Sequence, residues 1–112
     1  MTTQTVKTLN AGATLTGSAA AYYTAPAQTY GVVKNAVVTN TTGGAISLTL
    51  YRVPSGGSAD AAHTLISGRS IAAGATDLCA ELVNKVIEPG ASIQALGNGL
   101  SISIDGVEVV PG

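Results

Sequence analysis

The sequence predicts an all-β fold: a single antiparallel β-sandwich or jelly roll over residues 21–112, preceded by an extended N-terminal arm over residues 1–20. Three observations carry that prediction. Fourteen glycines and four prolines punctuate 112 residues at short intervals. The apolar runs between them are too short and too β-branched to make good helices. Two of those runs, 46–51 and 100–104, alternate apolar and polar residues one by one, the period of a half-buried strand. The length suits one modest core and not two.

Taken in order, residues 1–20 are rich in Thr, Ala and Gly, and Val6 and Leu9 are the sizeable apolar side chains between Met1 and Leu15. Thr2, Thr3, Thr5 and Thr8 favour extended backbone. The segment is expected as an arm that a partner subunit orders, with Val6, Leu9, Tyr22 and Tyr23 as the assembly interface and the two tyrosines packed where it leaves the sandwich. The competing reading makes it the first strand of its own sheet.

Residues 30–40 carry the doublets Val32-Val33 and Val37-Val38 around Lys34 and Asn35, which predicts one long strand bent or twisted in its middle. Thr41-Thr42-Gly43-Gly44 then offers turn residues, so a hairpin into the strand at Ile46 is expected. Pro54 and the Gly56-Gly57 pair end that strand, and a loop with a possible helical turn follows through Ala62. Shorter strands are expected over 64–71, 77–83, 86–88 and 92–96, and a last one over 100–104, giving seven or eight in two packed sheets. The expected core is Val32, Val38, Ile46, Leu48, Leu50, Ile102 and Ile104.

Only 10% of residues are charged, where an ordinary domain carries roughly 25%. The surface is therefore mainly Thr, Ser, Asn, Gly and Ala, with weak electrostatic resistance to self-association. Five dispersed basic residues, a net charge of −1 and a pI near 5.6 speak against a nucleic-acid partner. No run approaches the ~20 apolar residues of a membrane span, and the first residues lack the pattern of a secretory signal, so use without export is expected and no membrane partner is assigned.

No catalytic, metal-binding or cofactor-binding residue is assigned. Asp60, His63 and Ser67 are of the types that build a nucleophilic triad, but they cluster in one Ala-rich loop without a G-x-S-x-G elbow. The carboxylates Asp60, Asp77, Glu81 and Glu88 match no calcium-loop spacing and read as solvated surface acids. Gly56-Gly57 and Gly97-Asn98-Gly99 read as turns. Cys79, the single cysteine, reads as a small buried hydrophobe, and Asn40-Thr41-Thr42 as turn chemistry in place of a glycosylation acceptor.

Tyr23-Thr24-Ala25-Pro26-Ala27, Val37-Val38-Thr39-Asn40-Thr41-Thr42-Gly43, Leu50-Tyr51-Arg52-Val53-Pro54-Ser55-Gly56-Gly57 and Ile87-Glu88-Pro89-Gly90-Ala91-Ser92-Ile93-Gln94-Ala95 lie in the segment from Tyr23 to Glu108, about three quarters of the chain. This stretch resembles small virion proteins of tailed bacteriophages. The resemblance implies a non-enzymatic β-sandwich accessory protein, a head cement or decoration protein that binds the major capsid protein as a dimer or trimer. A tail- or fibre-associated protein with an adhesion or receptor-binding role is the alternative it leaves open. Either way it implies a place in the virion, assembled in the cytoplasm of the host bacterium.

Overall fold

The computed structural model describes residues 2–111, and within them nine antiparallel strand segments form two sheets. The strands are β1 (Thr3–Thr14), β2 (Ala20–Thr24), β3 (Tyr30–Asn40), β4 (Ile46–Val53), β5 (Thr64–Ile71), β6 (Thr76–Asp77), β7 (Val86–Ile87), β8 (Ser92–Leu96) and β9 (Leu100–Val110). The first sheet runs β1-β9-β3-β6, with β7 also paired to β3; the second runs β2-β8-β4-β5. Single 3₁₀ turns occupy Ala61–His63 and Ala80–Leu82.

Each sheet turns its alternate side chains inward. Leu48 and Leu50 of β4, Ile93 and Ala95 of β8, and Ile66 and Ile71 of β5 meet Val33, Ala36 and Val38 of β3 and Leu100, Ile102 and Ile104 of β9. Nearly all are fully buried, and each large side chain contributes about 1.5–3 kcal/mol of transfer free energy. Five of the seven expected core residues are here. Ile46, at the mouth of the sandwich, is only half-buried, and Val32 lies on the opposite face of its strand from Val33.

The exchange of Val32 for Val33 has a backbone cause. β3 carries an irregularity between Val33 and Asn35 in its ladder with β9, so an extra residue at Lys34 shifts the alternation by one. β1 carries a matching irregularity between Thr8 and Asn10, on the other side of β9 at the same level. Between the two lies Gly106, where a Cβ would collide with the carbonyl oxygen of Val32. The long, bent strand read from the sequence is thus present, with its bend at Lys34.

The expected hairpin between β3 and β4 is not formed. β3 pairs with β9, β4 pairs with β5 and β8, and the 41–45 connection passes from one sheet to the other. Asn40, fully buried, makes that corner: its Nδ2 donates to the carbonyls of Gly44 and Ile71, each at 2.8 Å, while its Oδ1 accepts from the Thr42 amide and hydroxyl. A buried amide with all these partners fixes the chain between layers.

Two further expectations change. The strand expected over 77–83 ends at Asp77, because its Oδ1 accepts the Cys79 amide at 2.7 Å and Cys79 takes a left-handed conformation, φ 47°, that opens the 3₁₀ turn. The segment expected as an arm is extended, but residues 3–14 are laddered onto β9 from Thr3↔Val110 to Thr14↔Ser101, and Leu15 is buried in the core. β9 itself continues beyond Ile104 to Val110, which gives β1 its partner.

Candidate contact surface

Where β1, β9, β3 and β7 run side by side, their register aligns one residue type across four strands. Val6 is opposite Val107, Val107 opposite Val32, and Val32 opposite Val86. Directly opposed residues share a face, so these valines form one row. Two residues along the same face, Gln4, Val109 and Tyr30 form a second row. The face turns away from the core. Val6 is 88% exposed, Val86 44% and Tyr30 37%, while Val32, Val107 and Val109 are half-covered by their neighbours. Beside the rows, an open groove is lined by Val6, Thr8, Lys34, Asp105 and Val107.

The reverse face of the same strands is closed by a tyrosine. Tyr23, on β2 of the second sheet, lays its ring over Gly31 of β3, where a Cβ would come within 2.7 Å of the ring. Its hydroxyl donates to Glu108 Oε2 at 2.8 Å, and Lys7 Nζ donates to the other carboxylate oxygen at 3.1 Å. Burial, reinforced by the Glu108 carboxylate, raises the Tyr23 hydroxyl well above the ordinary phenol range. Leu9 and Tyr22 pack against the edge of the core, and Asn10 Nδ2 donates to the Tyr22 carbonyl at 2.7 Å.

Of the four residues expected to form an assembly interface, then, Val6 stands on the outer face, Leu9 and Tyr22 flank the core, and Tyr23 lies within it, 8% exposed. The outer rows hold residues the sequence reading passed over. The alternation of Val107 and Val109 is visible in the sequence, but their alignment with Val6, Val32 and Val86 exists only in the strand register.

The polar clusters are structural in their geometry. Asp60 caps the first 3₁₀ turn by accepting the Ala62 amide, and its carboxylate lies 2.8 Å from His63 Nδ1. Ser67 stands exposed on β5 and bonds to neither, so the three residue types do not converge. His63 also lines a cleft of about 210 Å³ with Arg52, Ser55, Glu88 and Pro89.

Asp77 and Glu81 are not the free surface acids expected. Arg69 of β5 donates to Asp77 Oδ2 at 3.0 Å and to both oxygens of Glu81, so the second sheet is clasped to the segment leaving β6. Burial alone would raise the Asp77 carboxyl, but the Cys79 amide and Arg69 hold it below the ordinary range. Arg69 does the same for Glu81. Cys79, fully buried behind them, has its thiol pushed up to about 12, first by burial and then by the two carboxylates. Among the described residues no group of three or more His, Cys, Asp and Glu side chains is placed to hold a metal ion, and no helix is long and apolar enough to cross a membrane.

No protein-family model and no curated protein matches the chain. Among solved structures, the infectious bursal disease virus Gx strain contains a chain 16% identical over 97% of this one, with a TM-score of 0.45. The T13 particle of the same virus gives 11% identity over 96%, with a TM-score of 0.47. This chain spans 31% and 30% of those two chains, and its assignment as a β-sandwich rests on the two sheets themselves.

Proposed function

We propose that the chain is a structural protein of a virion that acts by docking its valine face on a neighbouring protein. The observation that carries this is the row Val6–Val107–Val32–Val86, an apolar strip on the solvent side of a sheet whose other side already supplies the core. A domain with so few charges gains little from exposing such a strip, whereas a subunit that buries it on assembly gains roughly 25 cal/mol per Å². The resemblance to tailed-phage virion proteins supports the finer reading, a cement or decoration protein held on the outside of the head by the major capsid protein.

The test is a capsid-binding assay with Val107→Asp, which places a charge in the middle of the row without entering the core. The variant should keep the circular dichroism spectrum and Tm of the parent within a few degrees. It should fail to bind expanded capsids assembled from the capsid protein encoded with it, and fail to raise their resistance to heat. Unmodified protein that ignores capsids and labels tail tips in virion images would move the assignment to the tail- or fibre-associated reading.

A further inference from the structure

Each sheet has two edges, and in this protein three of the four are blunted. β6 and β7, on the far side of β3, are two residues long each. β2 has five residues and an irregularity between Ala21 and Tyr23. The β4–β5 ladder is interrupted at two places, and Gly68 within β5 adopts a left-handed φ of 63°. Such devices prevent edge-to-edge pairing.

β1 has none of them over its first six residues. Thr3 to Thr8 pair with β9 without a shift, contain no proline, and among the described residues pair with no strand on their other side. The one charge in the stretch, Lys7, is drawn to Glu108. Backbone donors and acceptors along roughly 20 Å of strand therefore face outward.

From this we infer that β1 pairs with β1 of a second copy, antiparallel, about a two-fold axis at Val6. The register follows from face and charge. Side chains of both copies stay on matching faces only if the paired residue numbers have an even sum. Centring on Lys7 sets two ammonium groups against each other, which opposes pairing. Centring on Val6 sets Lys7 against Thr5, Gln4 against Thr8, and Val6 against Val6, and stops short of the irregularity after Thr8 that would break the ladder. The net charge of −1 leaves little repulsion between copies.

The occupant is a second copy because the segment complements itself in this register, and the joint extends an existing pattern. The two valine rows, each ending at Val6, become one row of eight valines across a continuous sheet. The pairing does not depend on the virion reading: it belongs to the purified chain in solution, whatever that chain later docks on.

Sedimentation equilibrium of the purified chain should give twice the 11.0 kDa monomer mass. Val6→Lys, at a position 88% exposed, should return it to a monomer with unchanged circular dichroism. Opposed Cα atoms in an antiparallel pair lie within disulfide reach, so Val6→Cys should oxidise to a covalent dimer. Gln4→Cys and Thr8→Cys should cross-link when refolded together and not when each is alone, and Cys79, being buried, does not compete. A chain that is monomeric up to about millimolar concentration overturns the inference. So does a dimer that Val6→Lys leaves intact, or one in which the Gln4 and Thr8 cysteines do not join.

Discussion

Tyr23 and Glu108, 85 residues apart, are joined by a 2.8 Å hydrogen bond that ties the second sheet to the last strand of the first. β2 has only five residues and pairs with β8 alone, so this contact and the ring over Gly31, together with the Asn10 bond to the Tyr22 carbonyl, fix it to the opposite layer. Tyr23→Phe keeps the ring and deletes the donor. It should cost about 1–2 kcal/mol in urea unfolding, the range for a hydrogen bond to a charged acceptor. In an alkaline absorbance titration, the variant should lack the highest-pH tyrosine step of the parent, because the hydroxyl removed is the one raised by burial. Gly31→Ala should cost a comparable amount by displacing the ring, whereas Gly43→Ala, in open space, should stay within about 0.5 kcal/mol of the parent.

The Arg69 clasp makes an acid-stability prediction. Asp77 and Glu81 have carboxyls held below their unfolded values, so each binds a proton more readily when the chain is unfolded. Their contribution is present above the unfolded pKa values of about 4 and is lost as pH falls through the folded ones. Tm should therefore drop below about pH 4 in the parent, and drop less in Arg69→Gln. At neutral pH that variant should be less stable by roughly 1–2 kcal/mol, with solvent screening keeping the loss modest. Equal acid slopes for the two proteins would assign the clasp no energetic role.

Cys79 should be chemically silent in the folded state. Its thiol is buried and shifted to about 12, so almost no thiolate exists at neutral pH. A disulfide-exchange reagent at pH 8 should label it at the rate of global opening, and adding urea should accelerate labelling in proportion to the unfolded fraction. Fast labelling without denaturant would mean that the 3₁₀ turn at Ala80–Leu82 opens on its own.

Local signals placed much of this fold. The strands expected over 64–71 and over 92–96 have the observed bounds; the second is delimited by Pro89-Gly90 and Gly97 and keeps its alternation, with Ile93 and Ala95 inward. What escaped was decided at a distance. Thr41 to Gly44 have the composition of a hairpin turn, yet Asn40 reaches the Ile71 carbonyl 31 residues away and turns the chain into the other sheet. Val32 and Val33 are indistinguishable as residue types, and only the extra residue at Lys34 decides which enters the core. The contact surface was legible at Val6 alone, since its other members share a row through ladder register, to which composition is blind.

The paired irregularities of β1 and β3 around Asp105 and Gly106 act on the chain as a reading frame acts on a message. Beyond that level, inside and outside are assigned by residue count and no longer by residue character. If the ladder ran straight through Lys34 with no bulge, Val32 would turn inward and Val33 would leave its place in the core for the solvent side, while every residue kept its identity. Variation in these strands should therefore tolerate exchanges among β-branched residues and reject changes of length, the opposite of what is expected in the 54–60 loop. Two half-sheets with opposed duties, one sealing a core and one presenting a face, are held in phase by a single inserted residue on either side of a glycine.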